Sequence, residues 1–453
     1  MASEACHFGL LTDLYELTMA AAYLENNFLP KASFELFVRS LPPERNYLIA
    51  AGLEQALDFL ESVRFGSSDV DYLRKQPVFA RVKDDFFDYL REFRFRGEVW
   101  ALPEGTPVFG EEPLLRVTAP IIEGQIVETF LLSTITFQTM IASKAARIVE
   151  AAQGRSVVEF GTRRAHGPQA GTLAARAAYI GGCVGTSNAE AGRKFGIPIF
   201  GTLAHSFVMA YEDEEESFRR FEELFPDHAV LLIDTYDSLA AIDKIIAAGL
   251  RPKAVRLDSG DLFELSREVR RKLDAAGLKD TKIFATSDLD EHVITDMLAR
   301  GAAVDEFGVG TSLATSKDAP ALSGVYKLVD VYSANRPTPR AKLSGGKGTY
   351  PGCKQIFRFE ERGQYTGDLV AHCTERPQGK SLLEPVMRDG KRLAPSPPAA
   401  DIRRRAISEL AKLPGAVRRL HKPFRYPVRF SNELHTLLEN FRSRLTPQVE
   451  TKD

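Results

Sequence analysis

The stretch "KAVRLDSGDLFELSREVRRKLDAAGLKDTKIFATSDLDEHVITDMLARG", residues 253–301, decides the fold. It reads as one unit written twice. A short apolar run (AVRL, then KIFA) ends in a polar corner (DSGD, then TSDLD), and an amphipathic helical run follows each corner. Strands that alternate with helices in this way lie parallel, because a parallel neighbour is reached only by a long crossover. Runs as apolar as these are buried on both faces.

Outward from that stretch the same texture runs from about residue 155. Its other strand-and-corner pieces are "SVVEFGTRRAHG", "CVGTSN", "IPIFGTLAHS", "AVLLIDTYDS" and "VDEFGVGTS". The repeat is one of structure, not of sequence identity, so a solenoid is not implied. The sheet is either open and doubly wound or closed into a β/α barrel. Upstream, "IVETFLLSTITFQTMIASKAARIVEAA", 126–152, predicts a long buried helix that links two units. "LLTDLYELTMAAAYLENN" predicts a helix capped by Thr12 or Asp13, and "KASFELFVRSLP" alternates like a strand. Residues 96–118 read as short strands broken by Pro and Gly, and "APSPPAAD", 394–401, as a surface linker into the last helices.

With 453 residues the chain is long enough for two or three domains. It is 44% hydrophobic and 26% charged with a formal net charge of −2. Such a balance draws it neither to nucleic acid nor to an anionic membrane. The four cysteines (Cys6, Cys183, Cys353, Cys373) show no CxxC spacing, which fits a reducing compartment. The first residues lack a basic, then apolar, leader pattern, and the expected location is the cytoplasm. "YEDEEESF" predicts a solvated helix start. The basic stretches "RRRA" (403–406) and "VRRLHKPFRYPVRF" (417–430) predict a subunit boundary or the rim of an anion site. Cys353 and His372–Cys373 lack the paired spacing of a zinc site.

The corners carry the chemistry. Ligands of a parallel β/α sheet bind where the strands end. Side chains alternate along a strand, so Arg256 and Asp258 of "VRLDSG" share a face, opposite Val255 and Leu257. A lone pair of this kind reads first as a structural ion pair. Here Arg163, Arg164, His166, His205, Asp234, Asp261 and Asp288 fall at strand-end corners too. Guanidiniums suit carboxylate and phosphate. The corner "FGVGTS", with Gly308, Gly310, Thr311 and Ser312, offers backbone N–H groups to a phosphate. Aspartates suit Mg²⁺ and sugar hydroxyls. Together they predict a phosphorylated sugar, a divalent ion and a small anionic partner. No HExxH, P-loop or GxSxG pattern is present, which disfavours zinc protease, Walker ATPase and serine hydrolase chemistry.

"LLTDLYELTMAAAYL", "EFGTRRAHGPQAG", "GTSN", "GTLAHSFVMAY", "DTYDS", "VRLDSGDL", "TSDLDE", "GVGTSL", "GVYKLV" and "KLSGGKGTYPGCKQIFR" occur in an order that resembles the nicotinate phosphoribosyltransferase family. The resemblance runs from about residue 9 to 440. It implies an irregular α/β barrel, with parallel strands, over 151–334. It also implies an α/β-sandwich domain built from both chain ends, 1–150 and 335–453. The implied reaction joins nicotinate to 5-phosphoribosyl-1-diphosphate, giving nicotinate mononucleotide and diphosphate on the way to NAD. ATP hydrolysis is coupled to it, with Mg²⁺, and the implied assembly is a homodimer with the active site at the subunit boundary.

The resemblance also assigns roles. His205 of "GTLAHS" is the histidine phosphorylated by ATP. Tyr15, Arg163 and Thr202 match nicotinate-site positions, with Phe160 a ring neighbour. Arg256 binds the nicotinate carboxylate or the phosphates nearby. Asp258 contacts ribose or metal, with Asp261 a second metal candidate. Gly310 and Thr311 cradle the 5-phosphate, and Asp288 holds a sugar hydroxyl. Ser187 and Asn188 stand where nicotinamide-using relatives carry an acid, which favours nicotinate. Nicotinamide or quinolinate transfer on the same fold remains an alternative, as does a silent relative that only binds the mononucleotide. "VLLIDTYDS" is superficially similar to the diphosphate strand of the other phosphoribosyltransferase fold, but the Thr-Thr-Gly type loop is missing.

Overall fold

The computed structural model describes residues 8–344 and 348–445. Cys6 lies outside them. Six parallel strands form one sheet, in the order Gly185–Thr186, Ser156–Glu159, Glu306–Val309, Lys282–Ala285, Ala254–Leu257, Val230–Leu232. The predicted strand "IPIFG" is present only as a bridge between Thr186 and Ile199. The sheet curls as an irregular half-barrel. Val255, Leu257, Ile283, Phe307 and Val309 pack under its helices in one continuous core with Ile242, Ile245, Val269 and Ile294.

Helix starts follow from local chemistry. Asp237, Asp261 and Asp290 each sit just before a helix and accept hydrogen bonds from N–H groups of its first turn. These bonds satisfy donors that no helical carbonyl can reach. Asp213 does the same for Glu214–Leu224, the helix of the acidic run. Asp13 occupies the cap position of Leu14–Glu25 without a capping bond. Its carboxylate accepts instead from Thr129, and Thr12 Oγ1 donates to the Ile126 carbonyl. Asp13 thus ties the first helix to the linking helix, and Thr12 ties it to the short helix Ile121–Ile126 just before the linking helix.

The chain ends build a second unit. Its seven-stranded sheet is antiparallel throughout, in the order Arg336–Pro339, Gly324–Ser333, Lys31–Val38, Pro113–Pro120, Glu98–Ala101, Glu384–Arg388, Lys391–Arg392. Phe34, Leu36 and Val38 enter a core with Phe59, Phe86 and Leu90 from the covering helices. A four-stranded sheet, Lys380–Ser381, Lys354–Glu361, Gln364–His372 and Val428–Phe430, completes the unit. Two boundaries differ from expectation. Gly324–Ser333, expected within the barrel, pairs with Lys31–Val38. The helix Ala399–Ala411, expected on the sandwich, puts Ile402 and Ala406 into the barrel core beside Ala174 and Ala177. An amphipathic helix does not announce which of two apolar surfaces it will cover.

The linking helix runs Glu128–Ala151 and joins the two units. Leu131 and Ile135 belong to the sandwich core; Ile141, Ala145 and Ile148 belong to the barrel core. Its buried Lys144 and Arg147 both bind Glu291, at 2.5 and 2.9 Å, and Lys144 also binds Asp318 at 2.8 Å. Arg45 meets Asp318 at 3.1 Å, so one ionic network spans both units. No described helix is long and apolar enough to cross a membrane.

Candidate active site

The polar corners converge where the parallel strands end. Phe160, Arg163, Arg164, Arg256, Asp258, Thr286, Ser287, Asp288, Gly308, Gly310 and Thr311 line a cavity of about 240 Å³ there. Arg256 is its best-held side chain. Nε donates to Thr286 Oγ1, Nη1 to Thr202 Oγ1 and Nη2 to Asp258 Oδ1, each at 2.8 Å. Three of its donors are thereby fixed in direction and the remainder stay free for an anion. The shared face predicted for Arg256 and Asp258 is present, and Val255 and Leu257 lie in the core.

Asp258 Oδ1 also accepts from Thr286 Oγ1. Its other oxygen, Oδ2, stands 3.8 Å from His205 Nε2. Burial alone would raise the Asp258 carboxyl. The Thr286 hydrogen bond, the Arg256 guanidinium and the His205 ring outweigh it and hold the group below the usual carboxylate range. His205 opens the short helix His205–Met209, and its Nδ1 lies 3.1 Å from Thr235 Oγ1. The ring is therefore oriented through one nitrogen while the other faces the Asp258 carboxylate and stays partly exposed. An imidazole so placed can accept a group on Nε2.

Close backbone packing brings the corners together. A Cβ on Gly161 would fall 2.3 Å from Ala314 Cβ and 2.8 Å from the Gly310 carbonyl, and one on Gly308 would fall 2.7 Å from Thr286 Cγ2. Ser287 holds φ at +105° on the cavity wall, a conformation L-residues adopt only when their surroundings enforce it. Arg163 and Arg164 are exposed, face the cavity, and have no side-chain partner among the described residues.

Other expected residues fall elsewhere. Tyr15 is exposed on the sandwich unit, its hydroxyl donating to Glu128 at 3.4 Å, and it does not line this cavity. Ser187 is exposed and lies off the cavity wall, while Asn188 caps Ala189–Phe195 and donates to Thr162. Asp261 caps the helix Leu262–Ala275: its Oδ1 accepts from the Phe263 and Glu264 N–H groups. Among the described residues no group of three or more His, Cys, Asp or Glu could cage a metal. The arginines of "RRRA" are engaged within the chain, Arg403 on the Cys183 and Gly182 carbonyls, Arg404 on Asp401 and Arg405 on the Glu104 carbonyl. Thr235 and Thr286 were not anticipated. Strand pairing puts Phe284 beside Arg256 and so carries Thr286 alongside Asp258, a relation no linear spacing displays.

Residues 10–136 match the family model of the nicotinate phosphoribosyltransferase N-terminal domain, and residues 373–438 that of its C-terminal domain. Residues 141–319 match the quinolinate phosphoribosyl transferase C-terminal domain. The chain is 47% identical to nicotinate phosphoribosyltransferase pncB2 of Mycobacterium tuberculosis, over 98% of this chain and 96% of that one. It is 38% identical to nicotinate phosphoribosyltransferase of Bacillus subtilis, over 98% and 97%. The crystal structure of human nicotinic acid phosphoribosyltransferase superposes with a TM-score of 0.83 at 29% identity, covering 95% of this chain and all of that one. With relatives this similar along nearly their whole length, the chain belongs to the nicotinate phosphoribosyltransferase family.

Proposed function

We propose that this chain transfers the 5-phosphoribosyl group of 5-phosphoribosyl-1-diphosphate to the ring nitrogen of nicotinate. Nicotinate mononucleotide and diphosphate leave, and ATP hydrolysis is coupled through phosphorylation of His205. The observation that carries the reading is the linked set Thr202–Arg256–Asp258–His205 at one cavity mouth.

The chemistry needs little proton transfer. The pyridine nitrogen is a free nucleophile at neutral pH, so the site needs no strong general base. Arg163 and Arg164, unpaired at the rim, supply guanidiniums for the nicotinate carboxylate. Phe160 offers a ring wall, and Gly310 with Thr311 an open corner for the 5-phosphate. As the C1–O bond to diphosphate breaks, positive charge grows on the ribose and negative charge on the leaving group. The free donors of Arg256 meet the second, and the Asp258 carboxylate, kept ionised, tolerates the first. Positioning of the two substrates in line contributes much of the remaining acceleration.

Mg²⁺ fits a site of this kind when a substrate diphosphate supplies most of the oxygen ligands. Asp288, on the cavity wall with no side-chain partner among the described residues, and Asp258 Oδ2 are the carboxylates that would hold it. When bound it neutralises diphosphate charge. The working unit in this reading is a homodimer in which Tyr15 of one copy closes the cavity of the other. Tyr15 stands exposed and away from its own cavity, as that arrangement requires.

The barrel's match to the quinolinate model gives quinolinate transfer a footing as the second reading. Turnover is to be measured with nicotinate, nicotinamide and quinolinate, each with and without ATP. Product is expected from nicotinate, with ATP stimulating it. His205→Ala is expected to abolish both that stimulation and acid-labile phosphate incorporation. Survival of both in the variant removes the role given to His205; preference for quinolinate replaces the substrate.

A further inference from the structure

Two cysteines that do not line the cavity form a pair that the proposed reaction does not use. Lys354–Glu361 and Gln364–His372 run antiparallel with Lys354 opposite His372. One step beyond, Cys353 stands opposite Cys373, and the Cys373 N–H donates to the Cys353 carbonyl at 2.9 Å. Directly opposed residues of an antiparallel pair carry their side chains on the same face. At a hydrogen-bonded position their Cα atoms lie about 5.5 Å apart, within the range a disulfide spans. Both thiols are free.

The two sulfurs differ in environment. Cys353 is 4% exposed, its N–H held by Asp330 and its sulfur 3.9 Å from the Tyr332 hydroxyl. Cys373 is only partly buried. A hydrogen bond from the Cys353 thiol lowers Cys373 to about 6, against the pull of burial, with the Arg116 guanidinium and His372 assisting and Glu35 opposing. Arg116 is fixed beside the pair by donating to the Lys354 carbonyl at 2.9 Å. Cys353 itself is pushed up by that same hydrogen bond and by burial. One thiol is thus partly accessible with its thiolate favoured, and its neighbour is sheltered.

We propose that Cys373 and Cys353 form a redox-active dithiol in which Cys373 attacks a low-molecular-weight disulfide and Cys353 resolves the adduct. In the first step the Cys373 thiolate bonds to one sulfur of the disulfide, the S–S bond breaks, and one small thiolate leaves and takes a proton from water. In the second, Cys353 gives up its proton and attacks the Cys373 sulfur, and the second small thiolate leaves. Two protein thiols are oxidised and one disulfide is reduced to two thiols, so electrons balance. The product staples the ends of two neighbouring strands.

The test uses the full chain with glutathione disulfide at neutral pH, followed by intact mass and peptide mapping. Loss of both thiols in a Cys353–Cys373 cross-link, reversed by dithiothreitol, is expected. Cys353→Ser is expected to stop at a glutathione adduct on Cys373, and Cys373→Ser to give no adduct at Cys353. Alkylation of Cys373 is expected to show its half-maximal rate near pH 6, and Cys353→Ser to move that midpoint upward. Should either variant unfold, Cys→Ala replacements and the mapping of the unaltered chain decide. An unaltered chain that forms no cross-link, pairs through Cys6 or Cys183, or takes glutathione first on Cys353 overturns the proposal.

Discussion

Thr286 controls the charge state of Asp258 without being titratable itself. Its hydroxyl bonds Asp258 Oδ1, and its oxygen receives Arg256 Nε. A carboxyl held below its ordinary range stays ionised as pH falls, so activity that needs the Asp258 anion persists into mild acid. Thr286→Val removes the bond that favours the anion and leaves the shape of the residue. The acid limb of the kcat/KM profile is expected to move to higher pH, with the basic limb unchanged. An unmoved acid limb would assign it to another group. The alternation of "VRLDSG" made Arg256 and Asp258 legible as a pair, because strand geometry needs only one strand. Thr286 and Thr235 arrive from neighbouring strands, and their relation to Asp258 and His205 exists only once the sheet is assembled. Asp261 shows a related ambiguity: a carboxylate after a strand is equally the start of the next helix, and here it caps that helix.

At the scale of elements, the corners work because their backbones touch. Gly308, next to last in its strand, packs against Phe160 and Thr286, two residues of the cavity wall. Gly308→Ala puts a methyl 2.7 Å from Thr286 Cγ2, so Thr286, which supports Arg256 and Asp258, must shift. Displacements of this order lower turnover by about 10- to 100-fold. The expected result is a fall in kcat with the unfolding midpoint changed far less. The linking helix makes the opposite demand. Lys144 neutralises Glu291 where neither reaches water. Lys144→Met leaves a buried carboxylate with Arg147 alone and is expected to cost about 3 kcal/mol in urea unfolding. The same network sets a pH window. Burial would raise Asp318, but Arg45 and Lys144 lower it to about 2. Its folded value lies below the unfolded one of about 3.9, so its stabilisation is complete above that value. It is lost as pH falls from there towards 2. In Lys144→Met acid unfolding is expected to begin at higher pH. Periodicity exposed this helix plainly, yet not the ions on it: Lys144 and Arg147 sit in an apolar run, and their acids come from about 150 residues further on.

For the whole molecule, the question is which surfaces complete the cavity. Within one chain the wall is polar and partly open, and Tyr15 projects from the other unit beside Glu16 and Glu128. Burial pushes the neighbouring Glu16 up to about 7, and the Tyr15 hydroxyl donates to Glu128. Sequence order made both units legible, while the chain-end helix on the barrel and the Gly324–Ser333 strand in the sandwich were not, since each apolar face fits either core. A pairing between copies is testable by complementation. Tyr15→Ala and His205→Ala are each expected to form homodimers without ATP-stimulated turnover, the activity read here. If Tyr15 serves the cavity of the second copy, subunit exchange between the two variants regenerates one intact site in every mixed dimer. Random exchange makes half of the dimers mixed, so activity is expected to recover to about a quarter of the unaltered enzyme's. Sedimentation checks that dimers are present and that exchange has occurred. If exchanged dimers stay inactive, Tyr15 and His205 belong to the same copy's site, and the cavity must close around its own chain.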